Sequence, residues 1–248
     1  MKWLVVMLTL FSLSVDPAVG APQDEYVILL AGLNGSTLNM KRIEWTLRRA
    51  GYNVINLPYR SHYGTIAQIA DHYLPPAIAQ VSASVKIHFV THSMGAIILR
   101  QYLSTHDLPN LGRVVMIAPP NRGTEIADCL RRHWWGRLFL GPAGCELGTL
   151  PSDRPQRLGQ PHFPFAVIAG DFTLSPLAYF RLPSPSDGTI SVERTKLPGM
   201  DAFLVVHSRH TLMLWRRQTL RAILDYIQTG CTTAPHPVQF PPITCRNA

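Results

Sequence analysis

The stretch KIHFVTHSMGAIILRQYL, residues 86–103, changes its hydrophobic pattern at Ser93. Its first half is a continuous apolar run, which is typical of a strand buried on both faces of a parallel sheet. Its second half carries apolar residues at helical spacing. The change predicts a strand that ends at His92 and a helix from about Ser93 to Ser104, joined by a sharp turn that includes Gly95.

Further segments share the short, continuous apolar character of the strand before Ser93. They are Tyr26–Leu33, Tyr52–Tyr59, Arg113–Pro120, Pro164–Gly170 and Ala202–Ser208. Helices are predicted for Ser36–Ala50, for Gly64–Val81 with a break or kink at Pro75-Pro76, and for Thr211–Gln228. Strands that alternate with helices indicate an α/β fold with a mostly parallel central sheet and helices on both faces. In such sheets functional residues collect at the carboxyl ends of the strands.

The first twenty residues have the layout of a signal peptide. Lys2 precedes a short apolar run, and small residues lie near Gly20. Cleavage after Gly20 would leave residues 21–248 as a single domain. The protein is therefore predicted to be exported, either to the periplasm or out of the cell. A retained membrane anchor and a first strand are the alternatives.

Four cysteines lie in the predicted mature chain, and an exported protein is expected to oxidise them. Pairing of neighbours in sequence, Cys129 with Cys145 and Cys231 with Cys245, fits best because each bond would close one loop-like segment. The spacings contain no C-x-x-C and do not indicate a zinc site. We therefore expect two structural disulfides.

The formal net charge is +8. A basic exported protein could make peripheral contact with an anionic membrane surface, and ordinary solubility charge is the alternative explanation. The basic residues are scattered and form no patch interleaved with aromatic residues, so no nucleic-acid partner is predicted.

Ser93 is a candidate nucleophile, because a serine on a sharp strand-to-helix turn exposes its oxygen above the sheet. The backbone N–H of Met94 would then lie at a helix N-terminus, where it can stabilise an oxyanion. The loop after the first strand offers a second donor, for which the Leu33 N–H is the best candidate. Thr91 stands where the usual G-x-S-x-G pattern has its first glycine.

A serine hydroxyl needs a base to take its proton and an acid to hold the base. His207 and His210 are the candidate bases, the first near a strand end and the second in the loop before the final helix. Asp171 and Asp187 are the candidate acids, the first directly after a strand and the second in an Asp-Gly turn. The residues alone leave both choices open.

Ordered segments resemble the α/β-hydrolases, specifically the bacterial lipase and esterase branch. LLAGLNGS resembles that branch's oxyanion stretch, with Ala31 where a histidine normally stands. VTHSMGAIILRQYL resembles its elbow and following helix, and APPNRGTEIAD its Pro-Pro-Asn-x-Gly segment. SDGTISVERTKLPGM and HTLML resemble its acid loop and the histidine segment that opens the last helix. The resemblance covers nearly the whole mature chain.

The resemblance implies an α/β-hydrolase fold in which Ser93 is the nucleophile, Asp187 the acid and His210 the base, the chain order that this fold uses. Backbone N–H groups of Leu33 and Met94 would form the oxyanion hole. His92, next to the serine, is expected to line the pocket or to pack.

The connection between the fourth and fifth predicted strands, about residues 122–163, is too long for a plain loop. It contains CLRRHWWGRLFLGPAGC, in which an apolar block lies between two cysteines. In the α/β-hydrolase fold this position holds a cap over the active site, so Trp134 and Trp135 are candidate substrate-binding residues. A surface excursion whose aromatic side chains pack on the core is the alternative.

Arg60, Ser61 and His62, after the second strand, are weaker candidates for the pocket rim.

The sequence therefore predicts a serine hydrolase of carboxylic esters that acts on a small-molecule or lipid ester through an acyl-enzyme. No metal or organic cofactor is expected. A thioesterase, an amidase or an acyltransferase with the same three residues is one alternative, and a non-catalytic binding protein on this scaffold is another.

Overall fold

The part of the chain that the structure describes is built around one sheet of six parallel strands. The structure, a computed structural model, describes residues 24–232. The strands are β1 (Tyr26–Leu30), β2 (Asn53–Asn56), β3 (Ile87–His92), β4 (Leu111–Ile117), β5 (Phe165–Gly170) and β6 (Ala202–Val206). Their order across the sheet is β2-β1-β3-β4-β5-β6, and every neighbouring pair is parallel. All six predicted strands are confirmed, with ends that differ by a few residues.

Helices follow the strands on both faces of the sheet. They are α1 (Thr37–Arg49), α2 (Ile66–Ile78), α3 (Met94–Leu103), α4 (Glu125–Leu130), α5 (Trp134–Cys145), α6 (Arg154–Arg157), α7 (Pro176–Arg181), α8 (Val192–Thr195) and α9 (Arg217–Thr229). A short 3₁₀ helix, Leu212–Trp215, precedes α9.

The sheet separates two apolar layers, and strand alternation assigns residues to each. In β1, Ile28 and Leu30 join the layer that contains α2 and α3. Val27 and Leu29 point the other way, into the layer that contains α1 and α9. This burial on both faces explains why the strands read as continuous apolar runs rather than alternating ones.

Local capping fixes the starts of the first two helices. The Ser36 hydroxyl accepts the Leu38 N–H, and the Asn39 side chain accepts the Ser36 N–H in return. Thr65 and Gln68 make the same reciprocal arrangement at the start of α2. These caps satisfy backbone donors that a helix otherwise leaves unpaired.

Two helix predictions need correction. The helix α2 is not broken at Pro75-Pro76 but continues to Ile78, although each proline removes one N–H group from the helical hydrogen bonds. The final helix does not begin at Thr211, since extended backbone at Arg216 separates the 3₁₀ helix from α9.

The long connection between β4 and β5 contains α4, α5 and α6, and we refer to residues 122–163 as the cap segment. The helix α5 is interrupted at Gly141, whose φ of 62° and ψ of −179° are not helical. None of the helices within residues 24–232 is long and apolar enough to cross a membrane.

The predicted disulfide between Cys129 and Cys145 is wrong, because both are free, half-buried thiols in the structure. The two ends of this segment are joined through Arg131 instead. Its guanidinium donates to the Cys145 carbonyl over 3.1 Å and forms ion pairs with Asp128 and Asp153 at 2.5 and 2.6 Å. The predicted bond of Cys231 involves Cys245, which lies outside the described residues, as does the predicted signal peptide.

Candidate active site

Ser93 occupies a strained turn between β3 and α3. Its φ of 53° and ψ of −125° are unusual for a residue with a side chain, and its N–H donates to the Ile117 carbonyl of β4 over 2.8 Å. A Cβ atom at Gly95 would lie 2.6 Å from the Ala31 carbonyl oxygen and 2.7 Å from that of Leu30. Glycine is therefore required there, because α3 starts against the backbone that follows β1.

Thr91 fits where the usual pattern has glycine because its side chain is buried against the neighbouring strand β4. It is fully buried, and its hydroxyl donates to the Val115 carbonyl of β4 over 3.3 Å. The crowded position of this elbow is Gly95, on the helix side of the serine, and not Thr91.

The loop after β1 passes directly beside the serine. A Cβ atom at Gly32 would lie 2.9 Å from the Ser93 Cβ and 3.1 Å from the His92 Nδ1. Leu33 follows on this loop, and Met94 is the first residue of α3, where backbone N–H groups lack helical partners. The structure thus brings the segments of both predicted oxyanion donors to Ser93.

His210 and Asp187 form a close pair. The His210 Nδ1 lies 2.7 Å from the Asp187 Oδ2, and the His210 N–H donates to the Asp187 backbone carbonyl over 3.0 Å. The other carboxylate oxygen accepts the N–H groups of Thr189 and Ile190 at 2.9 and 2.8 Å. The Asp187 side chain is almost fully buried, and both of its carboxylate oxygens have hydrogen-bond partners.

Gly170, at the end of β5, makes room for this pair. A Cβ atom there would lie 2.7 Å from the Ser208 carbonyl oxygen and 2.8 Å from the Asp187 Cβ. The strand end, the acid loop and the loop that carries His210 therefore meet at one point. The sequence places Gly170 at the functional carboxyl edge of the sheet but assigns it no role.

The two residues that sequence alone left as alternatives, His207 and Asp171, are paired with each other. Their Nδ1 and Oδ1 atoms lie 3.0 Å apart, but the His207 side chain is 74% exposed. The His210 side chain is only 15% exposed. Burial therefore distinguishes a solvent-facing pair from an enclosed one.

His92 packs rather than lining an open pocket. It is buried, its Nε2 lies 3.2 Å from the His210 backbone carbonyl oxygen, and the two imidazole centroids are 4.7 Å apart. Burial and the neighbouring His210 lower the pKa of His92 to about 3. A carbonyl only accepts hydrogen bonds, so the neutral ring carries its proton on Nε2. His92 thus links the elbow to the loop of His210.

Ser93 is 8% exposed, and within the described part of the chain no hydrogen bond joins its hydroxyl to the His210 ring. Asp187 and His210 line a pocket of about 370 Å³ together with Thr173 and Leu212. Within residues 24–232 no group of three or more His, Cys, Asp or Glu side chains is placed to hold a metal ion.

Trp134 and Trp135 lie in the first turn of α5, where their side chains are 79% and 50% exposed. Their contact with a substrate stays a prediction.

The loop after β2 contributes residues that sequence reasoning ranked low or missed. The Tyr59 hydroxyl donates to the Ala31 carbonyl over 2.5 Å, and burial raises the pKa of Tyr59 above its ordinary value. The Ser61 hydroxyl accepts the Asn34 N–H over 3.1 Å. The available signal was position, because this loop leaves the carboxyl end of a strand that neighbours β1.

No protein-family model and no curated protein sequence matches the chain. Solved structures do. The mature form of the Bacillus licheniformis lipase BlEst2 matches with a TM-score of 0.63 and 16% identity, over 78% of this chain and 88% of that one. A metagenomic carboxyl esterase matches with a TM-score of 0.63 and 20% identity, over 78% and 66% of the two chains.

Phospholipase PlaB from Legionella pneumophila matches with a TM-score of 0.53 and 19% identity, over 69% of this chain and 45% of that one. At such identities the likeness concerns the fold. The parallel sheet, the elbow after its third strand and these structural neighbours agree: the chain has the α/β-hydrolase fold.

Proposed function

We propose that the protein is a serine hydrolase of carboxylic esters. The observation that carries the proposal is the buried His210–Asp187 pair, with 2.7 Å between Nδ1 and Oδ2, tied through His92 to the strained turn of Ser93. A nucleophile, a base and an oriented acid in this chain order are the parts that acyl transfer needs.

In the proposed mechanism the His210 Nε2 takes the proton of the Ser93 hydroxyl while the oxygen attacks the ester carbonyl carbon. The Leu33 and Met94 N–H groups stabilise the negative oxygen of the tetrahedral intermediate. His210 then returns the proton to the leaving alcohol, and the acyl group stays on Ser93. Water, deprotonated by His210, releases the carboxylic acid and restores the serine.

Asp187 keeps the His210 ring in one tautomer and stabilises its charged form. Its carboxylate already accepts two backbone N–H groups, so it remains an acceptor for the Nδ1–H throughout. The Ser93–His210 hydrogen bond forms when substrate binds, since such bonds are often longer in the free enzyme.

We infer that the substrate has an apolar acyl group. The cap segment exposes Trp134, Trp135, Leu138 and Phe139, which would suit a hydrocarbon chain. Structural neighbours named lipase, carboxyl esterase and phospholipase support an ester substrate at the level of class. Export after cleavage near Gly20 is part of the same proposal.

The decisive experiment is covalent labelling with a fluorophosphonate, followed by mass mapping of the adduct. We expect one adduct on Ser93, and none in Ser93→Ala. Absence of label in correctly folded protein would contradict the nucleophile assignment and favour a non-catalytic binding protein.

Hydrolysis of p-nitrophenyl esters of increasing chain length, compared with matched thioesters and anilides, tests the substrate class. We expect the highest kcat/KM for an ester. Preference for the thioester or the anilide would move the assignment to a thioesterase or an amidase with the same three residues.

A further inference from the structure

A single carbonyl of the cap segment receives two hydrogen bonds from loops beside Ser93. The Phe139 oxygen accepts the Asn34 Nδ2–H over 3.3 Å and lies 3.0 Å from the His62 Nε2. Asn34 directly follows Leu33 on the loop after β1, and His62 lies on the loop after β2. The carbonyl therefore holds both loops to α5.

These contacts form a chain of hydrogen bonds with one consistent direction. Because the Phe139 carbonyl only accepts, the His62 Nε2 must carry a proton, and the Nδ1 of the neutral ring must accept. The Ser61 hydroxyl lies 3.3 Å from that Nδ1 and so donates to it. The same hydroxyl oxygen accepts the Asn34 N–H over 3.1 Å. The Ser61 hydroxyl and the His62 ring each accept one hydrogen bond and donate one, so the chain runs from the Asn34 N–H to the Phe139 carbonyl.

The chain holds the loop after β1 where its shape is strained. Asn34 has a φ of 54°, a conformation that most residues with a side chain avoid. Its N–H points to Ser61, and this fixes the peptide that follows Leu33. Two residues earlier, Gly32 packs against Ser93. A shift of Asn34 would therefore move the Leu33 N–H relative to the serine.

The cap segment also packs on these loops at its own break. A Cβ atom at Gly141 would overlap the His62 ring, and a Cβ atom at Gly144 would lie 3.1 Å from the Leu33 Cδ2. The helix α5 is interrupted at Gly141, so the piece that carries the Phe139 carbonyl ends where it meets His62.

We propose that Ser61 and His62 are positioning residues that couple the seated cap segment to the oxyanion donor at Leu33. When α5 is seated, the hydrogen-bond chain holds Asn34 and thus the Leu33 N–H in place. When α5 lifts, the Phe139 carbonyl leaves both loops and the donor loses its support. In this role Ser61 and His62 act through the loop after β1 and not by contact with the substrate. This inference rests on the proposed serine hydrolase and deepens it.

The test measures kcat and KM separately with one p-nitrophenyl ester for the wild type, Ser61→Ala and His62→Phe. We expect kcat to fall about 10-fold or more in each, because loss of a whole oxyanion donor costs roughly 10²–10³ in kcat. KM should stay within about 2-fold, since ground-state binding does not use the oxyanion hole. The double variant should lose no more than the worse single variant, because both break one chain.

Two further variants separate positioning from general damage. His62→Gln keeps a donor for the Phe139 carbonyl and should recover most of kcat. His72→Phe is the matched control, since His72 is an exposed histidine of α2 that stacks on Tyr63. It should leave kcat and KM unchanged. If His62→Phe does not fold, Ser61→Ala carries the test alone, because it removes both the acceptor for the Asn34 N–H and the donor to His62.

These measurements distinguish failure of the proposed coupling from failure of the proposed hydrolase activity. If wild-type protein hydrolyses the ester and is labelled at Ser93, but Ser61→Ala and His62→Phe keep kcat within about 2-fold, the coupling is wrong and the hydrolase stands. A rise in KM alone would make His62 a substrate contact and also overturn the inference. If the wild type is neither labelled nor active, the proposed function itself fails.

Discussion

His92 donates its Nε2–H to the backbone carbonyl of His210 over 3.2 Å, so the residue before the serine holds the residue proposed as base. The link spans the sheet, because His92 ends β3 while His210 follows β6. The link requires a proton on the His92 Nε2, and the buried environment strongly disfavours a second proton on this ring. Burial is the main reason that the pKa of His92 is about 3.

The stability of the protein should therefore depend on pH through His92. In the unfolded chain this histidine binds a proton below about pH 6.5, and in the folded protein only near pH 3. Above pH 6.5 the protonation of His92 does not affect the free energy of unfolding. Between pH 6.5 and about 3 it lowers that free energy as pH falls, by up to ~1.4 kcal/mol per pH unit. His92→Gln keeps a donor and does not titrate, so its unfolding free energy should fall less steeply with acid. Urea unfolding at several pH values between about 4 and 7 measures both slopes. Equal slopes would contradict the low pKa.

The two aspartate–histidine pairs should differ sharply when their acids are changed. Asp187→Asn leaves the shape but removes the charge that orients His210, and kcat should fall by a factor on the order of 10⁴. Asp171→Asn makes the same change in the exposed pair with His207 and should alter kcat less than about 2-fold. Steady-state ester hydrolysis by both variants is the measurement. The reverse ranking would assign the acid to Asp171.

Replacing Thr91 by the glycine of the usual pattern should weaken the protein without improving catalysis. Thr91→Gly leaves a void in the buried layer on one face of the sheet. It also removes the hydrogen bond to the Val115 carbonyl and makes the backbone of β3 more flexible in the unfolded chain. We expect the free energy of unfolding to fall by about 2–3 kcal/mol and kcat not to rise. Thr91→Val, which fills the space but loses the hydroxyl, should cost about 1 kcal/mol. A gain in kcat for the glycine variant would show that the threonine strains the elbow.

The exposed apolar face of α5 is expected to bind anionic lipid surfaces. Trp134 and Leu138 are four residues apart on this helix and are 79% and 74% exposed, in a chain whose formal net charge is +8. Co-sedimentation with phosphatidylglycerol vesicles should fall about 10-fold in the double variant Trp134→Ala, Leu138→Ala. Trp45→Ala, an exposed tryptophan on α1, serves as the control and should bind like the wild type. Equal binding by all three proteins would place the lipid contact elsewhere.

The sheet and the elbow could be predicted from the sequence because each has a local signature. Continuous apolar runs mark strands covered on both faces, and Ser93 lies where one such run turns into a helical pattern. The pairing of His210 with Asp187 could be anticipated because the acid loop and the final helix resemble known segments. Their roles in catalysis remain predictions until Ser93 is tested chemically.

The remaining features depend on contacts that have no local pattern. The Ser61 hydroxyl meets the N–H of a residue 27 positions earlier, and the His62 ring meets a carbonyl 77 positions later. The prediction of a Cys129–Cys145 disulfide was wrong for a related reason, because spacing along the chain does not show how two side chains lie in space. In the structure ion pairs of Arg131 with Asp128 and Asp153 hold this segment together. Loops pack through their shape and through contacts with residues far away in sequence. Such contacts do not follow a periodic sequence pattern, so they cannot be predicted from one.

The place of each strand in the sheet has a consequence for how activity is lost. β3, which leads to Ser93, is paired on both sides, with β1 and β4. β6, which leads to His210, lies at the end of the strand order. Amide hydrogens of β3 should exchange with solvent only when the whole protein unfolds, whereas those of β6 can exchange through fraying of the edge. Mild denaturant should therefore disconnect the base from a serine that is still held in the folded core, and inactivation should come before the loss of structure.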